Sequence, residues 1–140
     1  MSARKSEKPV IGRREWFRIL EFDLDWIRGK IDTGARTSSL HATGIRSFTR
    51  DGHRWVSFRT VGGLECEAPV VFEKKVKSSN GQPSRRYFVE VEAESLDGAK
   101  HSLLVSLTCR EAMKCPLLLG RRALTGFLVD CSRSQLLGRR

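Results

Sequence analysis

The chain has 140 residues, 39% hydrophobic and 30% charged, which suits one soluble domain with a buried core and excludes disordered and fibrous classes. Twenty-six Lys and Arg against sixteen Asp and Glu give +10, an excess that favours anionic partners without choosing among nucleic acid, anionic lipid and acidic peptide. No apolar run approaches the roughly 18 residues of a membrane helix, and the polar, charged start resembles no secretory signal, so a cytoplasmic protein without a membrane partner is expected.

Residues 1–9 read as a disordered basic tail and 10–140 as a single domain. Trp16, Phe17, Ile19, Leu20 and Phe22 mark a first strand region, and Trp26 to Ile31 a second that stops at Asp32-Thr33-Gly34. His53 to Thr60 alternates after an Asp51-Gly52 turn, a strong hairpin signal, and Val61-Gly62-Gly63 breaks it before Leu64 to Phe72 resumes as a strand. Lys74 to Glu94 is a hairpin with Asn80-Gly81 at its turn and Arg85 to Val91 in its return arm. Asp97-Gly98 leads into Ser102 to Leu107; Leu117-Leu118-Leu119 stops at Gly120; Arg121 to Thr125 allows a turn or two of helix, and Phe127 to Val129 a last strand. Many short strands with x-Gly turns predict an all-β barrel or sandwich.

The four cysteines, Cys66, Cys109, Cys115 and Cys131, form no C-x-x-C pair, and His41, His53 and His101 are scattered. Neither zinc spacing nor a G-x-x-x-x-G-K-[ST] phosphate loop occurs, so no metal and no cofactor is expected. Free thiols are the default reading. His41 reads as a packed or surface side chain, and Trp16, Trp26 and Trp55 as core or interface aromatics, although aromatics among arginines also suit nucleic acid.

Asp32-Thr33-Gly34-Ala35 is the most informative segment. It places a carboxylate at a strand end where backbone amides reach it, and Gly34 removes the Cβ that would obstruct that approach. Alone, the triplet also makes an ordinary Asx-turn. Downstream, the Lys74–Glu94 hairpin has a polar tip, Ser78-Ser79-Asn80-Gly81-Gln82, and Leu117–Gly120 closes an apolar strand before a short helix.

This order resembles the retropepsin-like aspartic proteases: a D-T-G-A loop, a flap hairpin, then two hydrophobic residues and Gly before a helix. Ile11-Gly12-Arg13-Arg14-Glu15-Trp16, the long block from Lys30 to Ala42, and Leu118-Leu119-Gly120-Arg121-Arg122-Ala123-Leu124 are similar to those of the RimB type. Members of that bacterial family are often labelled ATP-dependent zinc proteases and are encoded near ATP-grasp glutamate ligases of the RimK type. The resemblance covers about Val10 to Gly138, but its label finds no phosphate loop and no zinc motif here. It implies an all-β acid-protease barrel with a flap and one short helix.

Aspartic peptide hydrolysis needs two close carboxylates sharing one proton. One D-T-G per chain therefore implies a two-fold homodimer with one Asp32 from each subunit. The resemblance implies that Thr33 locks the two loops across the axis and that Gly34 donates its amide to the carboxylate. Ala35 withholds the hydroxyl donor that Ser or Thr would offer. Arg36, Arg121 and Arg122 follow the two motifs, and Lys77, Arg85 and Arg86 flank the flap tip, where guanidinium forks suit carboxylates. Together with Ala35, Gly120 and the tip residues Ser79, Asn80 and Gly81, they make the expected substrate-binding set. In the bland alternative these arginines face solvent or pair with Glu90, Glu92 and Glu94. The expected activity is cleavage of acidic, glutamate-rich peptides, with an ATP-grasp glutamate ligase as a further partner. Two rivals remain: a basic β-barrel for nucleic acid, and a catalytically silent partner of the ligase. Phe48 to Ala68 reads as an added hairpin without an assigned role.

Overall fold

A computed structural model of the chain describes residues 8–77, 81–110 and 114–140, and the side chain of Lys77 is outside that description. Ser79 and Asn80 of the expected flap tip, and all but the last two residues of the expected tail, therefore lie outside the described residues. The described residues form β1 (Val10–Gly12), β2 (Arg14–Ile19), β3 (Ile27–Ile31), β4 (Ser38–His41), β5 (Thr43–Arg50), β6 (His53–Arg59), β7 (Glu65–Pro69), β8 (Phe72–Lys77), β9 (Pro83–Ser95), β10 (Lys100–Thr108), β11 (Leu117–Leu119), α1 (Arg121–Leu124) and β12 (Leu128–Asp130). The fold is all-β with one short helix.

The main sheet runs β10-β4-β11-β3-β2-β9-β8, and β10 also pairs with β9, so six strands close into a ring and β8 hangs from its rim. Closure leaves few open edges. Alternation fills the interior: Ile27, Gly29 and Ile31 of β3 face inward while Arg28 and Lys30 face out. Phe17, Ile19, Leu40, Val89, Val91, Val105, Leu117 and Leu119 complete the same core. Gly29 is required there, since a Cβ would lie 2.7 Å from the Phe17 ring.

The long β9 serves two purposes. Residues from Phe88 onward pair with β10, and Pro83 to Phe88 pair with β8 as the flap arms. At their base the rings of Phe72 and Phe88 stack with centroids 4.3 Å apart. The Phe48–Ala68 insertion is more than a hairpin: β5, β6 and β7 make a separate three-stranded sheet. Its Asp51-Gly52 turn has φ of 50° and 79°, the two left-handed residues that a tight hairpin turn demands.

Four boundaries differ from the sequence expectation. Leu64 to Phe72 is not one strand. Val70 N–H donates to the Arg54 carbonyl and Val71 N–H to that of Phe88, so the chain changes sheets between them and the flap arm starts at Phe72. Leu20 to Phe22 form a 3₁₀ turn closed by Asp23 at φ 47°, with Phe22 packed edge-on to Phe58. Trp26 precedes β3, and the last strand is shifted one residue, to Leu128–Asp130.

Candidate active site

Strand β11 passes between β3 and β4, parallel to the first and antiparallel to the second. The loop that joins β3 to β4 must therefore cross over the end of β11, and this loop is Asp32 to Thr37. Asp32 N–H donates to the Leu119 carbonyl (2.9 Å), which fixes the backbone at the point where the carboxylate leaves the strand. Gly34 N–H donates to Asp32 Oδ1 at 2.9 Å. A Cβ on Gly34 would come within 3.2 Å of that oxygen, so any side chain there crowds the carboxylate. Asp32 is half-buried, while Thr33 and Gly34 are exposed. Among the described residues the Thr33 hydroxyl has no hydrogen-bond partner.

The corner after β11 clamps this loop from beneath. Arg121 N–H donates to the Ala35 carbonyl (2.8 Å) and Arg122 N–H to that of Arg36 (3.2 Å). The Arg121 guanidinium reaches back, its Nη1 donating to the carbonyls of Thr33 (3.2 Å) and Gly34 (3.1 Å). Gly120 N–H donates to the buried Ser38 hydroxyl, and a Cβ at position 120 would fall 2.5 Å from the Thr37 carbonyl oxygen. The Asp32 loop and the Gly120 corner, 88 residues apart in sequence, are thus one structural unit.

The expected substrate-binding residues divide. Ala35 and Gly120 belong to the loop and its clamp, and Arg121 holds loop carbonyls. Arg85 bonds Glu73 (3.0 Å), which also pairs with Arg54 (3.3 Å). Arg36, Arg86 and Arg122 form no ion pair among the described residues. Glu94, one of the three acids weighed as partners, pairs instead with Arg18 (2.6 Å). Gly81, at φ 81°, is the described end of the flap tip. Where the Asp32 loop runs into β4, a cleft of ≈ 280 Å³ lies among Thr37, Ser38, Arg122, Ala123, Ser102 and Leu104.

His41 is structural, its Nδ1 accepting from Arg110 N–H at 2.8 Å. Among the described residues no three His, Cys, Asp or Glu side chains gather to hold a metal ion, and no helix is long and apolar enough to cross a membrane.

Sequence reasoning missed Glu15. It is 1% exposed, and its carboxylate accepts N–H bonds from Gly12 (2.7 Å), Leu136 (2.9 Å) and Leu137 (3.0 Å). It ties the C-terminal segment across β2. The available signal was parity: Glu15 occupies the same inward face as Phe17 and Ile19, where an unpartnered charge would be prohibitive.

The chain is similar to several known proteins. The chain is 39% identical over 140 residues to a probable alpha-L-glutamate ligase of Shewanella pealeana, covering 94% of this chain and 30% of that one. A probable alpha-L-glutamate ligase of Desulfotalea psychrophila is 34% identical over 131 residues, covering 87% and 28%. The chain thus spans about 30% of the length of these relatives. A crystal structure of a Legionella pneumophila protein of unknown function superposes with a TM-score of 0.77 at 27% identity, covering 94% of this chain and 99% of that one. The profile of the RimB-like family, described as "Retropepsin-like aspartic endopeptidase RimB", matches residues 10–140, and the chain belongs to that family.

Proposed function

We propose that the chain is a cytoplasmic, homodimeric aspartic endopeptidase that hydrolyses acidic, glutamate-rich peptides with one Asp32 from each subunit. The observation that carries this reading is the clamped loop, in which a half-buried carboxylate is presented on a backbone held by Leu119, Gly120 and Arg121. Rigid presentation is what two carboxylates need if they are to share one proton and one water. One Asp32 takes a proton from water, whose oxygen adds to the peptide carbonyl carbon. The other gives its proton to the carbonyl oxygen. Collapse of the resulting gem-diol breaks the C–N bond, and the nitrogen leaves with a proton returned by the dyad.

The remaining residues take supporting roles. The exposed Thr33 hydroxyls would bond across the two-fold axis. Arg121 is a positioning residue for the loop. Arg36, Arg86 and Arg122, free of ion pairs among the described residues, would meet substrate carboxylates, and Lys77, Ser79, Asn80, Gly81 and Arg85 are proposed as further substrate contacts. The names of the relatives support a glutamate ligase as partner, since a ligase that adds glutamate makes the product this enzyme would remove.

The test is digestion of oligo-glutamate and oligo-glutamine of equal length by the wild-type chain and by Asp32→Asn. Cutting of the acidic peptide alone, abolished in a dimeric and folded Asp32→Asn, is expected. Wild-type turnover in Asp32→Asn would overturn the aspartic mechanism, and equal cutting of both peptides would overturn the substrate class. Loss of turnover to a chelator, restored by zinc, would replace the dyad with a metal site.

A further inference from the structure

The outer face of β2 and β3 carries an ordered array that the cleft does not use. Arg14, Trp16 and Arg18 share the outward parity of β2, and Arg28 and Lys30 that of β3. The antiparallel register sets Arg14 opposite Lys30 and Trp16 opposite Arg28. The Arg28 guanidinium lies 5.2 Å from the Trp16 ring centroid, and that of Arg18 lies 5.0 Å from Trp26. Arg140 joins the two, 5.5 Å from Trp16 and 6.0 Å from Trp26. Arg28, Trp16, Arg140, Trp26 and Arg18 thus form a continuous series in which cation–π contact restrains the forks; that of Arg18 is already paired with Glu94.

A cavity of ≈ 150 Å³ opens at the head of this series, lined by Arg14, Glu15, Trp16, Arg28, Ser134 and Gln135. Its wall is built at a cost. Gln135 adopts a left-handed φ of 56°, and its backbone N–H donates to the Arg14 carbonyl (2.9 Å) while its Oε1 accepts from Trp16 Nε1 (3.2 Å). The Glu15 carboxylate accepts three backbone N–H bonds, two at Oε2 and one at Oε1. Arg14, Arg28 and Lys30 form no ion pair among the described residues.

We infer that the array and its cavity are an exosite for the side-chain carboxylates of an extended acidic peptide, continuing the substrate path from Asp32. The identity of the peptide rests on the proposed endopeptidase activity; the site itself rests on the geometry. Lys30 lies two residues before Asp32, and Asp32 N–H carries the pairing with β11 one residue past the end of β3 by donating to the Leu119 carbonyl, so the two side chains leave the same face. Outward residues of a strand repeat every ~6.6 Å, and so do the carboxylates on one face of an extended acidic peptide. Arg28 is four residues from Asp32, about 13 Å along the strand, so a peptide running about four residues past the cut reaches the cavity. Single-stranded nucleic acid fits less well, because its bases stack on open aromatic rings and both indoles here are already engaged by guanidiniums.

The experiment uses the whole chain carrying Asp32→Asn, so that binding is read without turnover. Fluorescein-labelled octa-glutamate, octa-glutamine and octa-uridylate are titrated by anisotropy, with tryptophan emission as a second signal. Octa-glutamate should bind and perturb the tryptophans, and Arg14→Gln with Arg28→Gln should weaken it about tenfold, as expected for two partly exposed ion pairs. Arg28→Lys, which keeps charge and fold but loses the fork, should fall between. An unchanged Kd in the double variant, or tighter binding of octa-uridylate through the same arginines, would overturn the inference. Failure of the wild type to cut octa-glutamate, with arginine-dependent binding retained, would instead remove only the endopeptidase reading. Cutting with the same KM in the double variant would remove only the exosite.

Discussion

Replacing Gly120 by Ala tests whether the Asp32 loop owes its position to the corner beneath it. Gly120 has φ −91° and ψ −178°, extended backbone that alanine adopts freely, so the substitution adds only volume. The new Cβ would sit 2.5 Å from the Thr37 carbonyl oxygen, an overlap of about 0.8 Å against an ordinary carbon–oxygen contact of about 3.3 Å. The Thr37 carbon at 2.6 Å and the Ala35 oxygen at 2.9 Å block escape to either side, and all three are backbone atoms. The loop must lift, or β11 must sink. Overpacking of this kind costs about 1–3 kcal/mol, which at about 4 °C per kcal/mol lowers Tm by about 4–12 °C. The lifted segment continues directly from Asp32, and a ~1 Å misplacement of a reacting group costs about 100-fold in rate. Calorimetry and kcat on an oligo-glutamate substrate, measured together, form the assay. An unchanged Tm with wild-type turnover would refute the clamp.

Two further outcomes concern the buried Glu15 and the half-buried His101. Glu15→Gln replaces an acceptor oxygen with an NH₂ that must face a backbone N–H of Gly12, Leu136 or Leu137, and should cost about 2–4 kcal/mol in urea unfolding; an unchanged midpoint would show that the C-terminal segment is held by other means. Burial pushes the His101 imidazole below its ordinary 6.5, against the opposing charge of Asp97. The fold therefore favours the neutral ring. Its contribution is complete above about pH 6.5 and is lost as pH falls through the lowered folded value. Wild type should consequently lose more Tm than His101→Gln between neutral pH and pH 5, and parallel curves would refute this.

The local motifs were legible because each depends on near neighbours. Asp32-Thr33-Gly34 declares a strand end and a tight loop within three residues, and Asp51-Gly52 specifies its own turn. What joins the motifs was not legible. Nothing near Leu117 says that β11 inserts between β3 and β4, because that register is set by side chains packed from across the barrel. The strand change at Val70 was hidden for a related reason. Val70, Val71 and Phe72 continue an apolar run, and only the partners of their N–H groups, Arg54 and then Phe88, separate one sheet from the next. Leu20 and Phe22 have the two-residue spacing of a strand face, but the 3₁₀ turn buries Phe22 while exposing Leu20 and Glu21.

The arginines show why proximity in sequence is a poor guide to what a cation does. Arg121 and Arg85 were selected because they follow a motif or flank a turn, yet a guanidinium acts several bonds from its Cα. Arg121 turns back onto the carbonyls of Thr33 and Gly34, where an acceptor-rich loop crosses β11. Arg85 stands opposite Lys75, and the like charge there leaves it to the diagonal Glu73, two residues along the same strand. Arg14 stands out in the sequence only as part of a matched block, and Arg28 and Arg140 not at all, because nothing in the linear order joins position 140 to Trp16 and Trp26. It is the buried Glu15, by holding Leu136 and Leu137 against β2, that brings Arg140 to those rings. The same carboxylate that anchors the chain's last segment thereby assembles the cationic face beside Asp32. A single substitution at Glu15 should therefore weaken both the fold and anion binding on that face, whereas Arg28→Gln should weaken only the second.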